Sequence, residues 1–175
     1  AAAKAEQARL TALAAKKKQV AIEAEKARQV QVAAETKYLA GLEEERRLEE
    51  VEAERKKAEK IYKLALKTLR NGDYKQAVKE LASFSKLFPQ SQLVANAYYW
   101  EGEANYILQE FNLAIIAFQV VIDRFPESSK VADAMLKKAF SQYELGQSGS
   151  GQALLTSLID KFPNTSAARL AYIRL

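Results

Sequence analysis

Three Phe-Pro pairs constrain this chain more than any other feature. Phe88-Pro89, Phe125-Pro126 and Phe162-Pro163 stand 37 residues apart, twice in succession. A fixed period of roughly 20–50 residues is the signature of stacked helical or sheet units. The match extends backwards from each proline. Seventeen residues before it stand Gly72, Gln109 and Gly146; twelve before, Ala77, Ala114 and Gly151; eight before, Leu81, Phe118 and Leu155. Five before come Phe84, Val121 and Leu158, and twenty-four before come the small residues Ala65, Gly102 and Ala139. The register predicts a pair of antiparallel helices in each unit. Small residues on both let the backbones approach, large ones fill the seam, and proline ends the second helix. One such pair cannot bury its apolar face alone, so consecutive pairs stack into a superhelix. Ser91, Ser128 and Thr165, two residues after each proline, are expected to cap the helix that follows.

Residues 1–60 follow a different grammar. They consist mostly of Ala, Glu, Lys, Arg and Gln, with no Pro and one Gly, Gly41. Nearly every residue is a strong helix former, and pairs such as Glu52 with Lys56 add i, i+4 support. A continuous helix is predicted, about 90 Å long at 1.5 Å per residue, with a bend or fray at Gly41. Its apolar stripe, Leu10, Leu13, Val20, Ala24, Ala27, Ala34 and Tyr38, is mostly alanine and breaks at Lys17 and Gln31. A strong coiled coil needs large residues sustained at a and d. The expectation is therefore a solvated helix or a weakly associating coiled coil, with a homo-oligomer through this helix left open.

Composition removes several functions. With no Cys and no His among 175 residues, thiolate zinc sites, cysteine nucleophiles, His-based triads and most metalloenzymes are excluded. No apolar run reaches the roughly 20 residues that span a bilayer. The net charge of +5 is mixed along the chain, and the longest basic run is Lys16-Lys17-Lys18, which speaks against nucleic acid as a partner. The carboxylate groups 43–45 and 49–50 lie amid arginines as surface charge, and Glu101 and Glu103 point in different directions on one helix. Ser148-Gly149-Ser150-Gly151 lacks the Lys and the preceding strand of a phosphate loop and reads as a flexible turn. No catalytic residue, metal site or cofactor is expected. The start at Ala1, without an initiator Met or an apolar leader core, is the start expected of a processed form.

The spacing small–(11)–small–(3)–large–(2)–large–(4)–Pro resembles the tetratricopeptide repeat, lengthened from its usual period of about 34 residues. The resemblance implies an all-α fold. A long Ala/Glu/Lys-rich helix over 1–58 precedes a repeat domain over 59–175. Its repeats are expected near 58–92, 93–129 and 130–166, with a terminal capping helix over 167–175. Residues 96–106 (Asn-Ala-Tyr-Tyr-Trp-Glu-Gly-Glu-Ala-Asn-Tyr), 114–118, 125–130, 132–134 and 142–146 are together similar to the carboxy-terminal domain of the Tol–Pal-associated CpoB (YbgF) family. That likeness implies a non-enzymatic periplasmic scaffold in a Gram-negative envelope. Such a protein would contact TolA and couple peptidoglycan synthesis to outer-membrane constriction in cell division. The first 60 residues are closer in composition to the middle segment of TolA. Two alternatives stay open: an outer-membrane assembly component of the BamD kind, and a generic peptide-binding adaptor.

In such arrays the first helix of each pair lines the concave face. Counted from the small residues, the expected partner-binding groove comprises Asn96, Tyr99, Glu103 and Tyr106 in repeat two. In repeat three it comprises Asp133, Leu136, Phe140 and Tyr143. Tyr62, Leu66 and Leu69 are the counterparts in repeat one. This set is aromatic and polar to acidic, and holds no Lys or Arg. It suits a helical partner bearing Lys or Arg, as a TolA-like segment would. Tyr98 and Trp100 are expected to pack inside.

Overall fold

A computed structural model describes residues 2–175. Among them there are seven helices and no strand: α1 Ala2–Arg70, α2 Tyr74–Leu87, α3 Val94–Ile107, α4 Phe111–Arg124, α5 Val131–Glu144, α6 Ser148–Lys161 and α7 Ser166–Arg174. The chain divides into two compact units, Ala1–Ala53 and Glu54–Leu175. None of these helices is long and apolar enough to cross a membrane.

In the first unit every described side chain except the half-buried Glu52 is exposed. The helix runs through Gly41 without a break, so the fray expected there is absent. A strong helix former on either side carries the backbone through, and the site around Gly41 is open. Ion pairs within the helix, such as Arg47 Nη2 with Glu44 Oε1 at 2.7 Å, sit in solvent and add little each.

The second unit is built as the 37-residue register requires. Ala65 and Ala139, Ala77 and Ala114, Leu81, Phe118 and Leu155, and Phe84, Val121 and Leu158 are all 0–1% exposed. The closest approach lies at Gly102, where a Cβ would stand 2.6 Å from Cε1 of Phe118. Small and large positions of one repeat are thus in contact. The second helix ends the same way three times. The amides of Phe88, Phe125 and Phe162 bond the carbonyls of Phe84, Val121 and Leu158, and the next residue, proline, has no N–H to continue the ladder.

Between the paired helices the chain turns through Gly72 (φ 83°), Gln109 (φ 62°) and Gly146 (φ 74°). Each turn carries a six-to-one bond, Asp73 N to Thr68 O, Glu110 N to Asn105 O and Gln147 N to Gln142 O, the pattern of a left-handed helix stop. Gln109 adopts it at a steric cost that glycine avoids. Replacing Gln109 by Gly is therefore expected to raise stability by about 0.5–1 kcal/mol; chemical denaturation of the two proteins checks this.

Two local expectations need correction. Ser91 and Ser128 do not cap α3 and α5. Their Oγ atoms accept from Leu93 N and Lys130 N, closing the turn after proline, and the helices begin after Leu93 and Lys130. Of these three residues Thr165 alone caps its helix, accepting from Ala168 N at 3.1 Å. Residues 148–151 form the first turn of α6, not a flexible loop. Gly151 is buried there because a Cβ would meet Tyr143 at 3.0 Å and the Ala139 carbonyl at 3.1 Å.

Candidate protein-binding face

The first helices of successive repeats, here the end of α1, then α3, α5 and α7, recur every 37 residues. Positions sharing a register can therefore be compared. Tyr62, Tyr99 and Leu136 are one such set, and all three are core, at 8%, 7% and 4% exposure. Tyr62 packs on Phe84 with centroids 5.5 Å apart, and Tyr99 packs on Phe118 at 5.8 Å. Tyr99 and Leu136 are thus removed from the exposed groove. Their register points into the seam with the second helix of the same repeat. Burial, aided by nearby Glu103 and Asp133, pushes the Tyr99 hydroxyl well above the usual phenol range.

The other expected residues are half-buried. Glu103 Oε2 lies 2.8 Å from Lys137 Nζ of the next repeat, and Glu103 Oε1 is buried with no hydrogen-bond partner among the described residues. Tyr106 stands edge-on to Phe111 at 5.4 Å. Burial, followed by the charge of Glu144, pushes its hydroxyl above the usual phenol range. Asp133 pairs with Lys130 at 3.6 Å. Phe140 and Tyr143 pack against the larger core cluster with one side open. Asn96 sits in the first turn of α3.

Three cations, missed in the sequence, complete this face. Lys130 Nζ lies 4.8 Å from the Tyr99 centroid and 5.7 Å from that of Trp100. Lys137 Nζ lies 5.5 Å over Tyr106, and the Arg174 guanidinium 4.8 Å over Tyr143. The last two are the same device one repeat apart: Tyr106 and Tyr143, like Lys137 and Arg174, differ by 37. A cation over an aromatic face is worth about 0.5–1 kcal/mol where partly exposed. That spacing was the available signal. Trp100 holds the same register as Lys137, so repeat two contributes no cation to the row. Trp100 instead packs against both core clusters, edge-on to Tyr99 at 5.2 Å.

The face is therefore not the polar-to-acidic surface expected. Asp133 and Glu103 each face a lysine, which leaves aromatic edges, mixed charge and one unpartnered carboxylate oxygen. Such a surface suits a partner with apolar contacts and a few hydrogen-bond donors.

Residues 96–128 and 133–165 each match the tetratricopeptide repeat model. In fold the chain is similar to the TPR2B domain of yeast Sti1, solved in a complex with pHsp70. The identity is 23% over 65% of this chain and 89% of that one, with a TM-score of 0.56. It is also similar to MamA of Desulfovibrio magneticus RS-1, 20% identical over 67% of this chain, with a TM-score of 0.54. The match spans 65% of that MamA chain. No curated protein matches the chain by sequence. The fold is an all-α tetratricopeptide-repeat superhelix with a long N-terminal helix, a protein-interaction fold.

Proposed function

We propose that this chain is a scaffold of the Gram-negative periplasm, resembling the CpoB family. Its inner face holds a helical segment of a partner such as TolA, and it couples the Tol–Pal system to peptidoglycan synthesis and outer-membrane constriction. The observation that carries the binding site is the repeated aromatic–cation pairing of Tyr106 with Lys137 and Tyr143 with Arg174 beside the half-open Phe140. Interfaces concentrate their energy in such aromatic and Arg anchors. The cellular role is supported by the residue likeness at 96–106, 125–130 and 142–146. Sti1, similar in fold, offers the analogy of a repeat domain holding a protein ligand.

Tyr106→Ala with Phe140→Ala should abolish binding of a purified TolA middle segment while leaving far-ultraviolet circular dichroism unchanged. Loss of such anchors costs roughly 2 kcal/mol or more in binding, read by titration calorimetry. Unchanged affinity in the folded double variant would rule out the groove. Tyr99→Ala is not a fair test, because Tyr99 is core.

A further inference from the structure

The charge of the protein is concentrated in one repeat. Residues 54–92 hold ten Lys or Arg against four Asp or Glu, a net of +6, while the rest of the chain nets −1. Part of this charge lies on a face whose use is visible elsewhere in the fold. Lys60, Leu64 and Lys67 of α1 share a register with Ala97, Glu101 and Ala104 of α3, and with Ala134, Lys138 and Ser141 of α5. In α3 and α5 that face receives the second helix of the preceding repeat. Ala97 is clustered with Leu81, Phe84 and Phe88 around α2, and Ala97, Ala104, Ala134 and Ser141 are 0% exposed.

At the central position of this face opposite charges lie near each other. Glu101 faces Lys86 of α2, whereas Lys138 hydrogen-bonds Gln119 and faces Asp123 of α4. Lys86 and Asp123 are themselves 37 apart, so the two seams carry the same pair with opposite polarity. In repeat one the face is open. Leu64 is 56% exposed at the centre of a shallow groove lined by Lys56, Lys60, Lys63, Lys67 and by Glu59, whose carboxylate is paired with Arg55 at 2.7 Å.

We infer that this face docks an acidic amphipathic helix of another protein, seated on Lys60, Leu64 and Lys67 as α2 is seated on α3. The register makes the occupant a helix. The lysines require carboxylates along its flanks, and Leu64 requires an apolar residue between them. A lone exposed leucine is too little for a membrane-lying surface, which needs several apolar anchors. No aromatic side chain lines the groove to stack a nucleic-acid base. The surface is distinct from the inner-face groove, so either can fail alone.

The test uses the full chain and a fluorescent synthetic helix with Glu on both sides of a Leu stripe. Its controls are a Lys-for-Glu twin, a proline-broken version, anionic phosphatidylglycerol vesicles and a DNA duplex. At low salt the acidic helix should bind in preference to every control. Lys60→Glu with Lys67→Glu should weaken it about tenfold or more, with the loss shrinking as salt rises. Leu64→Ser should weaken it independently of salt, and Tyr106→Ala with Phe140→Ala should leave it unchanged. All three side chains of this face are exposed, and circular dichroism verifies the fold of the variants. Equal binding of the twin or of the broken helix would overturn the proposal. So would tighter binding to vesicles or DNA, or no effect of the lysine reversals; the face would then be only the polar end that keeps a repeat array soluble.

Discussion

Gly102→Ala should destabilise the repeat unit by about 1–3 kcal/mol, and Gly102→Leu by more. The added Cβ would stand 2.6–2.8 Å from three ring carbons of Phe118. That ring is fully buried and held between α3 and α4, so it cannot swing aside. Gly41→Ala is the internal control. Nothing lies within 4 Å of Gly41, and alanine in an exposed helix interior should stabilise it by about 1 kcal/mol. Denaturation followed by Trp100 fluorescence reports the repeat unit. If both alanine variants moved stability by the same small amount, the close approach of α3 and α4 at Gly102 would be refuted.

Glu101→Gln should make the protein more stable at neutral to mildly alkaline pH and leave it nearly unchanged in mild acid. Glu101 is half-buried on the face of α3 turned to α2, and its Oε2 is buried without a hydrogen bond. Burial pushes its carboxyl up to about 7, and Lys86 opposes the shift without cancelling it. The folded value lies above the unfolded one, so folding takes up a proton in the window between about 4.5 and 7. Stability from this site is therefore fully present in acid and is lost as pH rises through about 7. Discounted for the part of the side chain still reached by water, the gain from the neutral amide near pH 8 is about 1–2 kcal/mol. Subtracting the pH–stability curves of the two proteins isolates the site. A difference that does not change with pH would show that Glu101 is ionised in the fold throughout.

Much of this fold is legible in the chain because its information is local and periodic. The small residues at 65, 102 and 139, the large ones at 81, 118 and 155, and the prolines identify paired helices, their facing residues and their ends. They do so because helix contact depends on side-chain size at fixed spacing. The composition of residues 1–60 identifies a helix with no apolar face of its own; side chains 2–51 are exposed, and burial begins near Ala58, where the repeat unit takes over. Gln109 breaks the glycine pattern yet takes the same left-handed turn, because the six-to-one bond closes it regardless of the side chain.

What only the tertiary structure decided is which sides of the first helices stay open. Neighbouring residues on a helix differ by about 100° in direction. Whether Tyr99 or Trp100 meets solvent therefore depends on where α2, α4 and α5 lie around α3, and no count along α3 contains that. The same holds for Lys130, Lys137 and Arg174, whose rings belong to other helices. Their pairing turned an apparently acidic groove into a nearly neutral one. Residues 148–151 look like a loop by composition but form the first turn of α6, with glycine at 151 because Tyr143 and the Ala139 carbonyl leave no room for a Cβ there. Glu101 is the clearest case: a glutamate on a polar-looking stretch becomes a buried acid because the preceding repeat closes over it.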